Sequence, residues 1–176
     1  MALGLMTVLI GLALAGLTTQ ADEDPAPTPL PPSVRAMTGC WAGVGEVMGK
    51  PVRTQVKAHP VARNLQFVIE TDSVAVDDPQ DFYAAHIIIG ATAARPDKPE
   101  GLVSYFADSF GGDFVSTGSG RASEEEVVLA YPYGANQFVN HWRASDTRLS
   151  WTITIKTAGQ ADQPFAHYEL EAVPCA

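Results

Sequence analysis

This sequence predicts an all-β domain, an up-and-down antiparallel barrel of about ten strands, and three observations carry that prediction. From Thr38 onward apolar and polar residues alternate with period two, and no stretch sustains a helical period with caps. Clusters of Gly, Pro and Asp interrupt the alternation at short intervals. The two cysteines stand at opposite ends of the alternating region, Cys40 in the first strand and Cys175 just after the last.

Taken in order, the first strand is expected over 40–48, where Trp41 is set between glycines, and it ends at the turn Gly49-Lys50-Pro51. The second, over 51–59, sets Val52, Thr54, Val56 and Ala58 against Arg53, Gln55, Lys57 and His59. The third, over 64–71, sets Leu65, Phe67 and Ile69 against Gln66 and Glu70, and the turn Asp77-Asp78-Pro79 follows it. The fourth spans 81–92 and the fifth 101–109, separated by Pro96-Asp97-Lys98-Pro99-Glu100-Gly101. Phe110-Gly111-Gly112-Asp113 leads into a sixth strand over 113–120, a seventh over 125–131 runs to Pro132-Tyr133-Gly134, and an eighth occupies 136–144. The ninth, over 148–156, sets Leu149, Trp151, Ile153 and Ile155 against Ser150, Thr152, Thr154 and Lys156. Thr157-Ala158-Gly159-Gln160 then connects to a tenth strand over 165–173. Such alternation means one buried and one wet face, and such short connections mean that successive strands are antiparallel neighbours. A sandwich is the competing arrangement.

The ends divide the chain into three parts. Residues 1–21 have the shape of a signal peptide: an uncharged apolar run to Leu17, then small residues Thr19 and Ala21 at the −3 and −1 positions of a cut before Asp22. The run is shorter than a membrane-spanning helix needs, so no stable membrane insertion is expected after cleavage; retention as a loose anchor is the alternative, because no Lys or Arg stands near the initiating Met. Residues 22–36, rich in Pro and acids, are expected to form a disordered linker, and residues 37–176 one barrel domain.

An exported chain resides in the periplasm or is secreted, where the environment is oxidising, so Cys40 and Cys175 are expected to form a disulfide; two free thiols are the alternative. That bridge places the first strand beside the last, which closure requires. Removing Asp22, Glu23 and Asp24 takes the formal charge from −9 to −6, with no block of Lys or Arg, so nucleic acid and anionic membranes are poor partners.

The segment Gly39-Cys40-Trp41-Ala42-Gly43 resembles the Gly-x-Trp-x-Gly opening of calycin-like barrels, the superfamily of the lipocalins. Together with Tyr105-Phe106-Ala107-Asp108-Ser109-Phe110-Gly111, Phe138-Val139-Asn140-His141-Trp142-Arg143 and Phe165-Ala166-His167-Tyr168-Glu169-Leu170, it is similar to the bacterial family called domain of unknown function 1579. The resemblance implies a barrel with an interior pocket and no established activity. A related branch, the nitrobindin-like barrels, holds haem through a late-strand histidine, and His167 is the residue in the matching place. Alternation sets His167 with Phe165, Glu169 and Glu171, opposite the more apolar Tyr168, Leu170 and Ala172, which argues for a surface histidine.

Among the other histidines, His86 shares a face with Phe82, Ala84 and Ile88 and reads as a core histidine, or as the alternative haem or metal ligand. His59, His86 and His141 show no metal-ligand spacing. Asp108, Ser109 and Asp113 flank a Gly-Gly hairpin, where turn capping accounts for them more simply than acid/base catalysis. The serines around Ser119 fit no nucleophile motif. With no motif for an enzyme and no cofactor required, the expected function is binding of a small apolar or amphiphilic molecule inside the barrel by Trp41, Tyr105, Asn140, Trp142, Trp151 and Tyr168. The alternatives are a haem barrel using His167 or His86, and an envelope scaffold or partner-binding module with a filled core.

Overall fold

In the computed structural model, which describes residues 26–175, ten antiparallel strands close on themselves. They are β1 (Gly39–Val47), β2 (Lys50–Val61), β3 (Gln66–Ala75), β4 (Phe82–Thr92), β5 (Gly101–Asp108), β6 (Ser116–Ala122), β7 (Val127–Tyr133), β8 (Asn136–Ala144), β9 (Arg148–Thr157) and β10 (Gln163–Val173). Each pairs with the next in sequence, and β1 pairs with β10 from Cys40 opposite Val173 to Val47 opposite Ala166. The sandwich arrangement is thereby set aside. The Cys40–Cys175 disulfide lies beside this seam, with the two Cα atoms 5.2 Å apart. The expected signal peptide lies outside the described residues.

The sixth strand begins later than the alternation suggested, because Gly112–Phe114 forms a single 3-10 turn and only Ser116 onward pairs with β5. A larger correction concerns the linker. Instead of a disordered arm reaching residue 36, the chain is packed from Leu30 onward: Leu30, Val34 and Met37 are 2%, 0% and 1% exposed. Pro32 starts a short helix, α1 (Pro32–Ala36), at the position where a missing N–H costs nothing. Val34 lies in the helix, Leu30 just before it and Met37 at its C-cap, and all three are buried against the barrel end. Too few to form a core alone, they join the apolar cluster at the barrel end where β1 begins, and the Trp41 indole N–H donates to the Met37 carbonyl (2.9 Å). This end of the barrel is plugged.

Two inward glycines make room for rings. A Cβ at Gly45 would fall 2.5 Å from the Tyr168 ring, and one at Gly118 would fall 2.6 Å from the Tyr131 ring. Bare backbone at these positions lets the rings lie flat across neighbouring strands.

Candidate functional site

Because side chains alternate across each strand, the register determines what the interior contains. At the plugged end the inward residues are large and apolar: Trp41, Phe67, Ile69, Ile89, Leu102, Leu129, Trp142, Leu149 and Leu170 are buried together with the face of α1. Toward the other end the character changes. Thr54 from β2, Thr71 and Ser73 from β3, Ser104 and Asp108 from β5 and Tyr131 from β7 face inward, joined by Tyr83 of β4 and Tyr168 of β10.

These polar groups are mostly paired. Thr54 and Ser73 share a hydroxyl hydrogen bond of 2.9 Å, as do Ser104 and Tyr131 at 2.7 Å. The Tyr83 hydroxyl donates to Asp108 Oδ2 (3.3 Å), and Asp108 Oδ1 accepts the Phe110 backbone N–H (3.0 Å). The Tyr168 hydroxyl makes none of the described hydrogen bonds, and Thr71 is 4% exposed with its buried Oγ1 unpartnered. A buried hydroxyl left unpaired costs about 1 to 3 kcal/mol, which makes it a place where a ligand atom would be welcome. It sits directly across from Ala85, which in turn sits across from Asp108, so a small side chain separates two polar ones in one inward row.

Facing this polar wall is an aromatic one. Trp142, Trp151 and Tyr168, directly opposite one another on β8, β9 and β10, stack with centroids 5.7 and 4.6 Å apart. The Trp151 indole N–H donates to Asn140 Oδ1 (2.9 Å), while the Asn140 amide donates to the Phe138 carbonyl (3.3 Å). Phe138 meets Phe165 edge to face at 5.1 Å, where a bulge between Pro164 and Ala166 interrupts the pairing. The rim at this end carries Met48, Phe110, Phe114 and Tyr133, all exposed. The inward side chains are therefore apolar at the plugged end, largely polar toward the other end on β2 to β5, and aromatic on β8 to β10.

Burial disfavours the charged form of the interior tyrosines. It pushes the Tyr168 hydroxyl from 10.0 up to about 12. Burial raises Tyr131 as well, against a smaller opposing effect of the Ser104 hydrogen bond, and it raises Tyr83 with the nearby Asp108 charge adding to it. Below the usual tyrosine range both folded and unfolded chains are protonated, and this contribution to stability is complete. As pH rises the unfolded chain loses its phenolic protons first, so the contribution is expected to decline from about pH 10 until the folded tyrosines ionise. Denaturant midpoints measured at stepped alkaline pH check this, and a flat profile across that window would contradict the burial of these rings.

Of the residues expected to bind ligand, Trp41, Asn140, Trp142, Trp151 and Tyr168 are buried on the inward face, with Trp41 at the plugged end and the other four along the aromatic wall. Tyr105 is not among them. It is 54% exposed, opposite Ile88 and Thr117 on the outer surface. Tyr105 and Phe106 are adjacent, only one can face in, and the pairing selects Phe106. The core reading of His86 is also overturned. Strand β4 is apolar on both faces, so alternation left its orientation undecided, and pairing with β3 turns Ala85 and Ile87 inward and His86 outward.

His167 lies outside too, between Glu46 and Thr152 on the neighbouring strands. His59 and His141 follow and precede inward Ala58 and Trp142 along their strands, so every histidine of the chain stands on an outward position. Haem held inside the barrel by a histidine does not fit these residues. Among the described residues no group of three or more His, Cys, Asp or Glu could hold a metal ion.

No family model and no curated protein matches this chain. Among solved structures it is similar to the crystal structure of Rv2717c from M. tuberculosis, with a TM-score of 0.54 and 15% identity, over 82% of this chain and 99% of that one. At that identity the likeness shows the fold alone. Thr54, Thr71, Ser73, Tyr83, Ser104, Asp108 and Tyr131 were not among the expected site residues. For Thr54 a signal was available, since it alternates in phase with Val52, Val56 and Ala58. The same signal held for Thr71 and Ser73, in phase with Phe67 and Ile69, whereas for Tyr83 and Asp108 it was the register that revealed them.

Proposed function

We propose that this chain is an exported, non-enzymatic barrel that takes one small amphiphilic molecule into its interior, with the apolar part along the Trp142–Trp151–Tyr168 wall and the polar end against β3 to β5. The observation that carries the reading is the unpartnered, buried Thr71 hydroxyl beside inward hydroxyls, Thr54, Ser73, Ser104 and Tyr131, that are paired with one another. A bound head group would supply the missing hydrogen bond. Export is supported by the disulfide, which belongs to oxidising compartments; no helix among the described residues is long and apolar enough to cross a membrane. Membership of the calycin-like barrels, in the domain of unknown function 1579 family, accords with the fold and with the motifs quoted above. The reading requires no cofactor and no nucleic-acid partner.

The test uses n-octanol and the intrinsic fluorescence of the interior tryptophans, with native mass spectrometry for stoichiometry. One octanol is expected to bind saturably. In Thr71→Val the two consequences have opposite signs: affinity falls roughly 3- to 10-fold for one lost hydrogen bond, while the ligand-free protein gains about 1 kcal/mol because an unpaired hydroxyl is gone. Absence of saturable octanol binding to the wild-type protein would sink the proposal.

A further inference from the structure

We infer that the interior selects a cationic head group, a quaternary or primary ammonium, placed between the Asp108 carboxylate and the rings at the rim. This rests on the interior-binding reading above and narrows it to a class of ligand. Apart from tyrosines, two ionisable groups stand at inward positions of the strands among the described residues, Asp108 of β5 and Lys50 at the first position of β2, and Lys50 is exposed and ion-paired to Asp81 (2.9 Å). The hydrogen bonds of Asp108 come from the neutral Tyr83 hydroxyl and the Phe110 backbone N–H, and it takes part in none of the described salt bridges. With Lys50 held by Asp81, no cationic side chain is paired to this half-buried carboxylate, which leaves it free to take a counter-ion from a ligand.

Three features surround it in ways that suit a cation. Tyr83, Phe110 and Phe114 form a chain of rings, with centroids 6.0 and 5.7 Å apart, that starts at the hydroxyl bonded to Asp108. Ring faces attract ammonium groups within about 6 Å. In the same inward row, beyond the small Ala85, the unpartnered Thr71 Oγ1 offers an oxygen as acceptor. The loops at this end add Asp77, Asp78 and Asp113, whereas Lys50 and Lys156 are each committed to an ion pair, with Asp81 and Asp162. A barrel end of net negative charge raises the local concentration of cations.

The experiment compares three probes with the same chain, n-octyltrimethylammonium, n-octanol and n-octanoate, by fluorescence titration of the wild-type protein and of Asp108→Asn. The ammonium is expected to bind about 10-fold more tightly than the alcohol, with the carboxylate weakest, and Asp108→Asn is expected to bring the ammonium-to-alcohol ratio close to one. Asparagine can still accept the Phe110 N–H, and a thermal melt reports whether the variant folds; should it not fold, the ranking of the three probes on the wild-type protein decides. Equal affinities, or a preference for the carboxylate, would overturn the cation inference and leave interior binding standing. A preference that survives Asp108→Asn would overturn it as well, placing the selectivity elsewhere. No binding by any of the three would overturn both readings at once.

Discussion

Replacing Cys40 and Cys175 together by serine is expected to destabilise the barrel by about 4 kcal/mol and to lower its melting temperature by roughly 8 to 16 °C. The bridge spans 135 residues of sequence, so in the chain-entropy account its removal releases a large part of the unfolded chain's freedom. Its position sharpens the expectation. Strands β1 and β10 are the two most distant in sequence, yet they form the seam that closes the sheet, from Cys40 to Val47 against Ala166 to Val173. Forming that seam carries the greatest loop-closure cost of any pairing in the fold, and the disulfide meets much of it in advance. The double variant should therefore fold more slowly as well as melt earlier, if the seam forms in the folding transition state. Chemical denaturation and refolding kinetics of the oxidised wild type and the serine variant measure both. A change in stability below about 1 kcal/mol would show that the ladder between β1 and β10 suffices without the bridge.

Loss of the plug is expected to be as damaging. Deleting residues 26–37 removes three fully buried side chains, Leu30, Val34 and Met37, and strips the Trp41 indole of its acceptor on Met37. At about 1.5 to 3 kcal/mol for each buried apolar side chain, the deletion is expected to cost about 5 kcal/mol or more, before any collapse of the uncovered end. The single substitution Val34→Asp tests the same packing within the full chain. A carboxylate at a position with no exposure would be unpaired and desolvated, and a loss of about 3 to 5 kcal/mol is expected, measured by urea unfolding. If the deletion left stability unchanged, residues up to 36 would be the dispensable linker that their composition suggests.

That contrast shows where the sequence was legible. Strand positions were readable because half-buried strands must alternate; Val52 to Ala58 and Leu149 to Ile155 fall on β2 and β9 as expected. The segment around Val34 was not readable as structure, since three apolar residues have no stability apart from the barrel end they cover. The candidate site divides in the same way. Trp151 and Tyr168 lie on strands whose two faces differ in polarity, so their inward orientation was visible in the alternation. Strand β4 is apolar on both sides, and β5 sets Tyr105 beside Phe106. In both, the inward face is settled by pairing with neighbouring strands.

Local periodicity and turn chemistry made the fold class and the approximate strand boundaries legible in the sequence, and the two cysteines pointed to closure, which the pairing of β1 with β10 shows. Only the tertiary structure decided which end is plugged, that Tyr105 and every histidine stand outside, and that Thr71, Tyr83 and Asp108 meet on one inward wall. The physical reason is that a strand's two faces exchange places with a shift of one residue, so what faces the interior is set by register between strands far apart in sequence.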